Sequence, residues 1–228
     1  MDSNRKTAII VGLLFIIGTV AGILSVGFLG SILDAPDYLI EVSANENQVK
    51  IGALLEFTMA AATAGIAISL YPILKKHNEG LALGSVGFRI IESVIFMVGT
   101  ISLLSLVTLS KEFVIAGAPV ASSYQTSGAL LLAVRESGSG ALAYIAFGIG
   151  AMMYYYLFYQ SKLIPRFISL WGLLGIALMF ADVLFIMFGL YVQFSTLSII
   201  LTLPILVQEM FLAVWLIVKG FNSSAIAS

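Results

Sequence analysis

The sequence has no cysteine and a single histidine, His77, in its 228 residues. Without cysteine there can be no disulfide, no thiolate metal site and no cysteine nucleophile. One histidine cannot form a histidine metal cluster. Because His77 sits in a polar stretch, a serine–histidine dyad inside an apolar segment is also excluded. The metalloprotease pattern H-E-x-x-H and the nucleophile elbow G-x-S-x-G are both missing. Charge is scarce as well: Asp, Glu, Lys and Arg make up 10% of the chain, against about 25% in a soluble domain. The net charge is −1, and no basic run is interleaved with aromatics, so nucleic acid is not an expected partner. These absences lead us to expect no metal and no cofactor, and they weigh against an enzyme.

What the chain has instead is apolar surface. It is 60% hydrophobic, with a mean hydropathy of +1.07. No soluble core of this size absorbs that much, so lipid must be its solvent and the bilayer its first partner. Six runs are long enough to cross, about 20 residues each: 7–33, 51–74, 83–109, 139–159, 167–190 and 195–218. In hydrocarbon every backbone group must bond internally, so the runs are helices. The first run exceeds a signal-peptide core and lacks a small-residue cleavage site, which predicts a retained helix. The expected fold is an all-α bundle of six transmembrane helices forming one domain. A short interfacial helix is expected between helices 3 and 4, from the apolar stretch before Ser137-Gly138-Ser139-Gly140. An early start of the fourth span is the other reading of that stretch.

The loops suggest an orientation. Arg5, Lys6, Lys75, Lys76, Lys162, Arg166 and Lys219 fall on one side of a six-span chain. The acidic loop with Asp34, Asp37, Glu41 and Glu46 falls on the other. Basic loops stay inside, which predicts a multi-pass plasma-membrane protein with both termini cytoplasmic. Gly18 and Gly22 form a G-x-x-x-G pair suited to close helix packing, within the bundle or between copies. The oligomeric state stays open.

The spans contain Glu56, Glu92, Asp182 and Glu209 but only one arginine, Arg89. A charge in hydrocarbon costs about 2.5 kcal/mol or more, so each such residue is a candidate site. Arg89 and Glu92 are three apart and share a helix face. At about 1.5 Å per residue, Arg89, Glu92 and Glu209 lie at similar depth in the inner half, with Gln208 beside Glu209. By the same measure Glu56 and Asp182 lie in the outer half, within reach of the boundary pair Arg135 and Glu136. Two polar layers are therefore expected. The excess of acid must be met by a proton, a bound cation or a water-lined cavity. Pro204 breaks the helix hydrogen bond to Ile200 just before Gln208, as in transporters with midplane sites. Tyr154, Tyr155, Tyr156 and Tyr159 read as an interfacial belt, of which one or two could face the inner cluster.

The stretches Ser43-Ala-Asn-Glu-Asn-Gln-Val-Lys50, Gly87-Phe-Arg-Ile-Ile-Glu92, Leu131-Leu-Ala-Val-Arg-Glu136, Ser161-Lys-Leu-Ile-Pro-Arg166 and Gln208-Glu-Met-Phe-Leu-Ala-Val-Trp-Leu-Ile-Val-Lys-Gly220 resemble a prokaryotic integral-membrane family, domain-of-unknown-function family 4386. The likeness covers nearly the whole chain. It implies a six-helix membrane protein with Arg89, Glu92, Arg135 and Glu209 among its motif positions, and it implies no particular activity. Three functions remain open from the residues. The first is a small-solute or ion binding or transport protein using the Arg/Glu cluster. The second is a structural or accessory protein whose charges fix helix packing. The third is an intramembrane lipid-modifying enzyme.

Overall fold

The structure is a computed structural model describing residues 2–119, 123–193 and 195–226. Nine α-helices follow one another among these residues: α1 Ser3–Leu33, α2 Tyr38–Ala44, α3 Glu46–Leu74, α4 Glu79–Ile115, α5 Ser123–Arg135, α6 Ala143–Ser161, α7 Arg166–Met187, α8 Thr196–Val218 and α9 Ser223–Ile226. Six helical segments are long and apolar enough to cross a membrane: α1, α3, α4, the continuous 123–161 segment, α7 and α8. The protein is a multi-pass helical membrane protein. Most helices outrun the apolar windows read from sequence, because a helix continues into its polar flanks wherever backbone bonding and caps allow. Asn78 is one such cap: its side chain accepts from the Leu81 N–H at 3.0 Å and starts α4 before the apolar run begins.

A helix does precede the fourth span, α5, but no break separates it: α5 runs on continuously into α6, as the early-start reading of this stretch has it. The Ser137–Gly140 stretch lies in a π-helical segment, Glu136–Leu142, which joins α5 to α6. Glycines and serines here tolerate the wider turn, and backbone bonding is kept instead of being lost to a loop.

Consecutive spans pack side by side: α1 on α3, α3 on α4, α4 on α6, α6 on α7 and α7 on α8, with α8 returning to α1. A face bearing both ends of the chain (the terminal face) therefore opposes a distal face carrying α2, α5 and the turn after α7. Arg5 ties the two chain ends together. Its guanidinium donates to the carbonyls of Leu216 at 3.0 Å and Val218 at 3.3 Å, and also to that of Ile217. These are carbonyls of the last turn of α8, where a cation is favourable. Gly18 and Gly22 lie against Ala62 and Met59 of α3, so this G-x-x-x-G pair packs inside the bundle. Leu54, Ile101, Leu174 and Val214 point outward, as lipid-facing side chains must in a bundle this small.

Candidate functional site

On α4, Ala82, Ser85, Arg89, Glu92, Ser93, Phe96 and Leu103 are all buried, which is the helical period that aims one stripe inward. Arg89 and Glu92 lie on this stripe. Their ion pair spans 2.9 Å, with side chains 2% and 4% exposed. Gly150 of α6 faces Arg89 so closely that an added Cβ would sit 3.2 Å from the Arg89 Cγ and 3.3 Å from its backbone nitrogen. A glycine is what lets α6 approach here. The guanidinium lies 4.8 Å from the centre of the Phe147 ring, an attraction that helps to hold a cation in apolar surroundings.

The pair is not closed. Arg89 Nε is buried without a hydrogen-bond partner, Arg89 Nη1 and Glu92 Oε2 meet only each other, and the enclosed Tyr154 hydroxyl and Glu209 carboxylate face one another. The Arg89–Glu92 contact is short, yet its alignment does not make a hydrogen bond. Arg89 interacts electrostatically with Glu92, Tyr154, Glu209 and Tyr155, which places these groups around one point. Buried polar atoms are nearly always bonded, so an unbonded guanidinium nitrogen in the interior calls for an explanation. With Glu92 and Glu209 against Arg89 alone, the cluster carries one more acid than base. Glu209 as a residue is only partly buried, but its Oε1 atom is enclosed.

Tyr154 and Tyr155, read from sequence with the interfacial belt, are fully buried instead. Helical phase explains it: α6 is enclosed between α4 and α7, so tyrosines on its inner faces join the core, while Tyr156, on the outer face, is exposed. Gln208 has both ends occupied. Its Oε1 accepts from the Tyr155 hydroxyl at 2.5 Å and its Nε2 donates to the Ile168 carbonyl at 3.0 Å. It links α8 to α6 and α7 rather than offering a free donor. Pro204 lies inside α8, one residue before a tight contact. A Cβ on Gly175 of α7 would meet Ile205 backbone and Cβ atoms at 3.0 Å, so the two helices touch where α8 has lost a hydrogen bond.

The outer-layer candidates are divided among separate settings. Glu56 receives both arms of Arg135, with Nη1 to Oε2 at 2.9 Å and a second bond from Nη2 to Oε1. Thr100 donates to Glu56 at 3.0 Å and Ser25 at 3.3 Å. Asp182 does not join this pair. It accepts from Tyr191 at 2.7 Å and from Ser198 at 3.0 Å, stapling the turn between α7 and α8. Partial burial and the bond to Asp182 push the Tyr191 hydroxyl up to about 12. Glu136 is exposed. Depth alone could not separate these groups, because it leaves the direction of each helix face undetermined.

Sequence reasoning missed the partners Ser25, Thr100 and Phe147. Thr100 carried a signal, lying at the spacing that continues the inward stripe of α4. Ser25 and Phe147 carried none, since only helix packing brings them in. Among the described residues no three of His, Cys, Asp and Glu converge as metal ligands. Two clefts lie at the two faces, away from the Arg89 cluster.

Comparison with curated proteins gives no match, and comparison with solved structures gives none either. A family model described as a domain of unknown function (DUF4386) matches residues 10–220, and the chain belongs to that family.

Proposed function

We propose that this is a small-solute or ion binding and transport-type protein whose site is the buried cluster of Arg89, Glu92, Glu209 and Tyr154. One observation carries the reading: two carboxylates, Glu92 and Glu209, are gathered in the interior around a single buried arginine, Arg89, whose Nε has no hydrogen-bond partner. A cluster that only fixed packing would be expected to satisfy its members, because a half-satisfied network is worse than an apolar one. One excess negative charge in a packed, low-dielectric setting is met by a proton or a small cation. Either can bind between Glu92 and Glu209 without a large cavity. Tyr154 supplies a hydroxyl that can donate to a carboxylate or coordinate a cation. The Pro204 break and the Gly175–Ile205 contact put an adaptable stretch of α8 just before Glu209. We place the protein in the plasma membrane with its terminal face cytoplasmic, on the strength of the basic residues gathered there.

The test is thermal stability of the purified protein from about pH 5 to about pH 9 with a panel of cations, for the wild type, Glu92→Gln and Glu209→Gln. A cation present at 100 times its dissociation constant adds about 2.7 kcal/mol. That gain should vanish in both variants, and ion or proton flux into vesicles should be lost with it. Flat curves across all ions and pH, together with variants that merely melt lower, would make the cluster architectural.

The accessory-protein reading draws on a different observation. The Glu56–Arg135 network, with Ser25 and Thr100, bonds both carboxylate oxygens. This is how charges look when they only lock helices together. We assign that structural role to this second network.

A further inference from the structure

We propose that a cleft on the terminal face, between the α6–α7 turn and the end of α8, binds the phosphate of an anionic phospholipid headgroup. The cleft has a volume of about 440 Å³, and Lys162, Arg166 and Lys219 line it with no acidic residue among its walls. Three separate parts of the chain deliver these cations. Lys162 ends α6 in the left-handed region, at φ 59°, which turns the chain sharply toward α7. Arg166 opens α7, whose N-cap Pro165 gives no side-chain cap, so the positive end of that helix also faces the cleft wall. Lys219 follows α8, and the tail after it folds back: the Asn222 N–H donates to the Leu163 carbonyl at 2.8 Å and its Nδ2 to the Lys162 carbonyl at 3.4 Å. The concavity is thus built by tertiary bonds, not by loose surface side chains. Arg166 Nε donates to the Tyr159 carbonyl at 3.4 Å and its guanidinium sits 5.0 Å from the Tyr159 ring. That anchors the side chain and leaves its two Nη groups for a ligand.

The setting selects a lipid over a free phosphate. The cleft lies at the ends of crossing helices, where headgroups sit, and Trp215 lines it, a residue suited to that level. Phe167 and Val218 point outward beside it, offering an apolar track for acyl chains. Basic residues near a membrane surface each contribute about 1 kcal/mol toward anionic lipid.

The experiment measures the binding preference of the full chain for phosphatidylglycerol over phosphatidylcholine, by native mass spectrometry of the detergent-solubilised protein. Lys162→Gln/Arg166→Gln/Lys219→Gln is compared with Lys75→Gln/Lys76→Gln, which removes two charges from the same face outside the cleft. Helical content by circular dichroism confirms folding. The cleft variant should lose at least about tenfold of the preference and the control should keep it. Where the triple variant does not fold, Lys219→Gln alone, at an exposed position, should lose about fivefold. A folded cleft variant with unchanged preference overturns the proposal, as does a control that loses as much. Glycerol 3-phosphate is the soluble arm: if it displaces phosphatidylglycerol at equal concentration, the site is one for free phosphate and the lipid assignment is wrong.

Discussion

Replacing Arg135 by glutamine strands Glu56. The Glu56 side chain is 10% exposed and the Arg135 side chain 17%, so water cannot take over. Breaking a buried pair by removing one member costs about 3–5 kcal/mol, while an exposed pair is worth less than about 1. The residual exposure puts this pair at the lower end, near 3 kcal/mol by the same scale. Thr100 and Ser25 still donate to Glu56 in Arg135→Gln, which limits the loss. In Glu56→Gln/Arg135→Gln no net charge is buried, and the amide oxygen can accept from one hydroxyl while its NH2 donates to the other. The double variant should therefore be more stable than Arg135→Gln, with a coupling energy of about 2 kcal/mol in the cycle. For a chain of this size each kcal/mol moves the melting temperature by about 2–4 °C, so Arg135→Gln should melt about 6–12 °C lower. The assay is reversible unfolding in mixed detergent micelles followed by tryptophan fluorescence. Single variants that each lose under about 1 kcal/mol and add in the double would show a solvated pair, and the buried-network argument would be refuted.

Gly175→Ala puts a Cβ against the backbone of Ile205 and should cost about 1–3 kcal/mol in the same assay, through separation of α7 from α8; an unchanged midpoint would mean the helices part freely there. Arg5→Ala leaves the last carbonyls of α8 without their cation and should cost about 1 kcal/mol, visible as faster hydrogen exchange confined to the end of α8. His77 lies outside the spans, and burial, then the nearby Lys76 charge, pulls its pKa below the usual 6.5. The unfolded chain then binds a proton that the folded chain refuses, so stability should fall as pH drops below the unfolded value and stay flat above it. His77→Gln should remove that acid-side loss, and a wild type that gained stability on acidification through the same window would contradict the direction. Because the unfolded-state value of His77, about 6.5, lies within the range used to probe Glu92 and Glu209, His77→Gln is also the background in which their pH response is cleanest.

Some of the fold was written plainly in the sequence. Six apolar runs separated by polar turns leave few alternatives once lipid is the solvent, because unbonded backbone is intolerable there. The i, i+3 spacing of Arg89 and Glu92 placed them on one face, and the structure joins them at 2.9 Å. Glu209 fell at a compatible depth because rise per residue is fixed. Azimuth was not legible. Depth suggested that Arg135 could reach Asp182 as well as Glu56, whereas the structure gives both its arms to Glu56 and leaves Asp182 to Tyr191 and Ser198. Height put Tyr154, Tyr155, Tyr156 and Tyr159 in a belt of which one or two could face the cluster; only direction on α6 decided that Tyr154 and Tyr155 are the buried ones.

The sequence alone determined the solvent, the number of spans and the residues that must answer for buried charge, since each follows from one-dimensional quantities: hydropathy, length and rise. Only the tertiary structure decided which acid meets which base. It showed Glu56 closed by four donated bonds and the Arg89 cluster left with an excess acid and an unbonded guanidinium nitrogen. It also turned the Ser137–Gly140 stretch from an expected break into a π-helical continuation. The physical reason is that pairing depends on how each helix is rotated about its axis. That rotation is set by contacts such as Gly150 against Arg89 and Gly175 against Ile205, which no single helix contains.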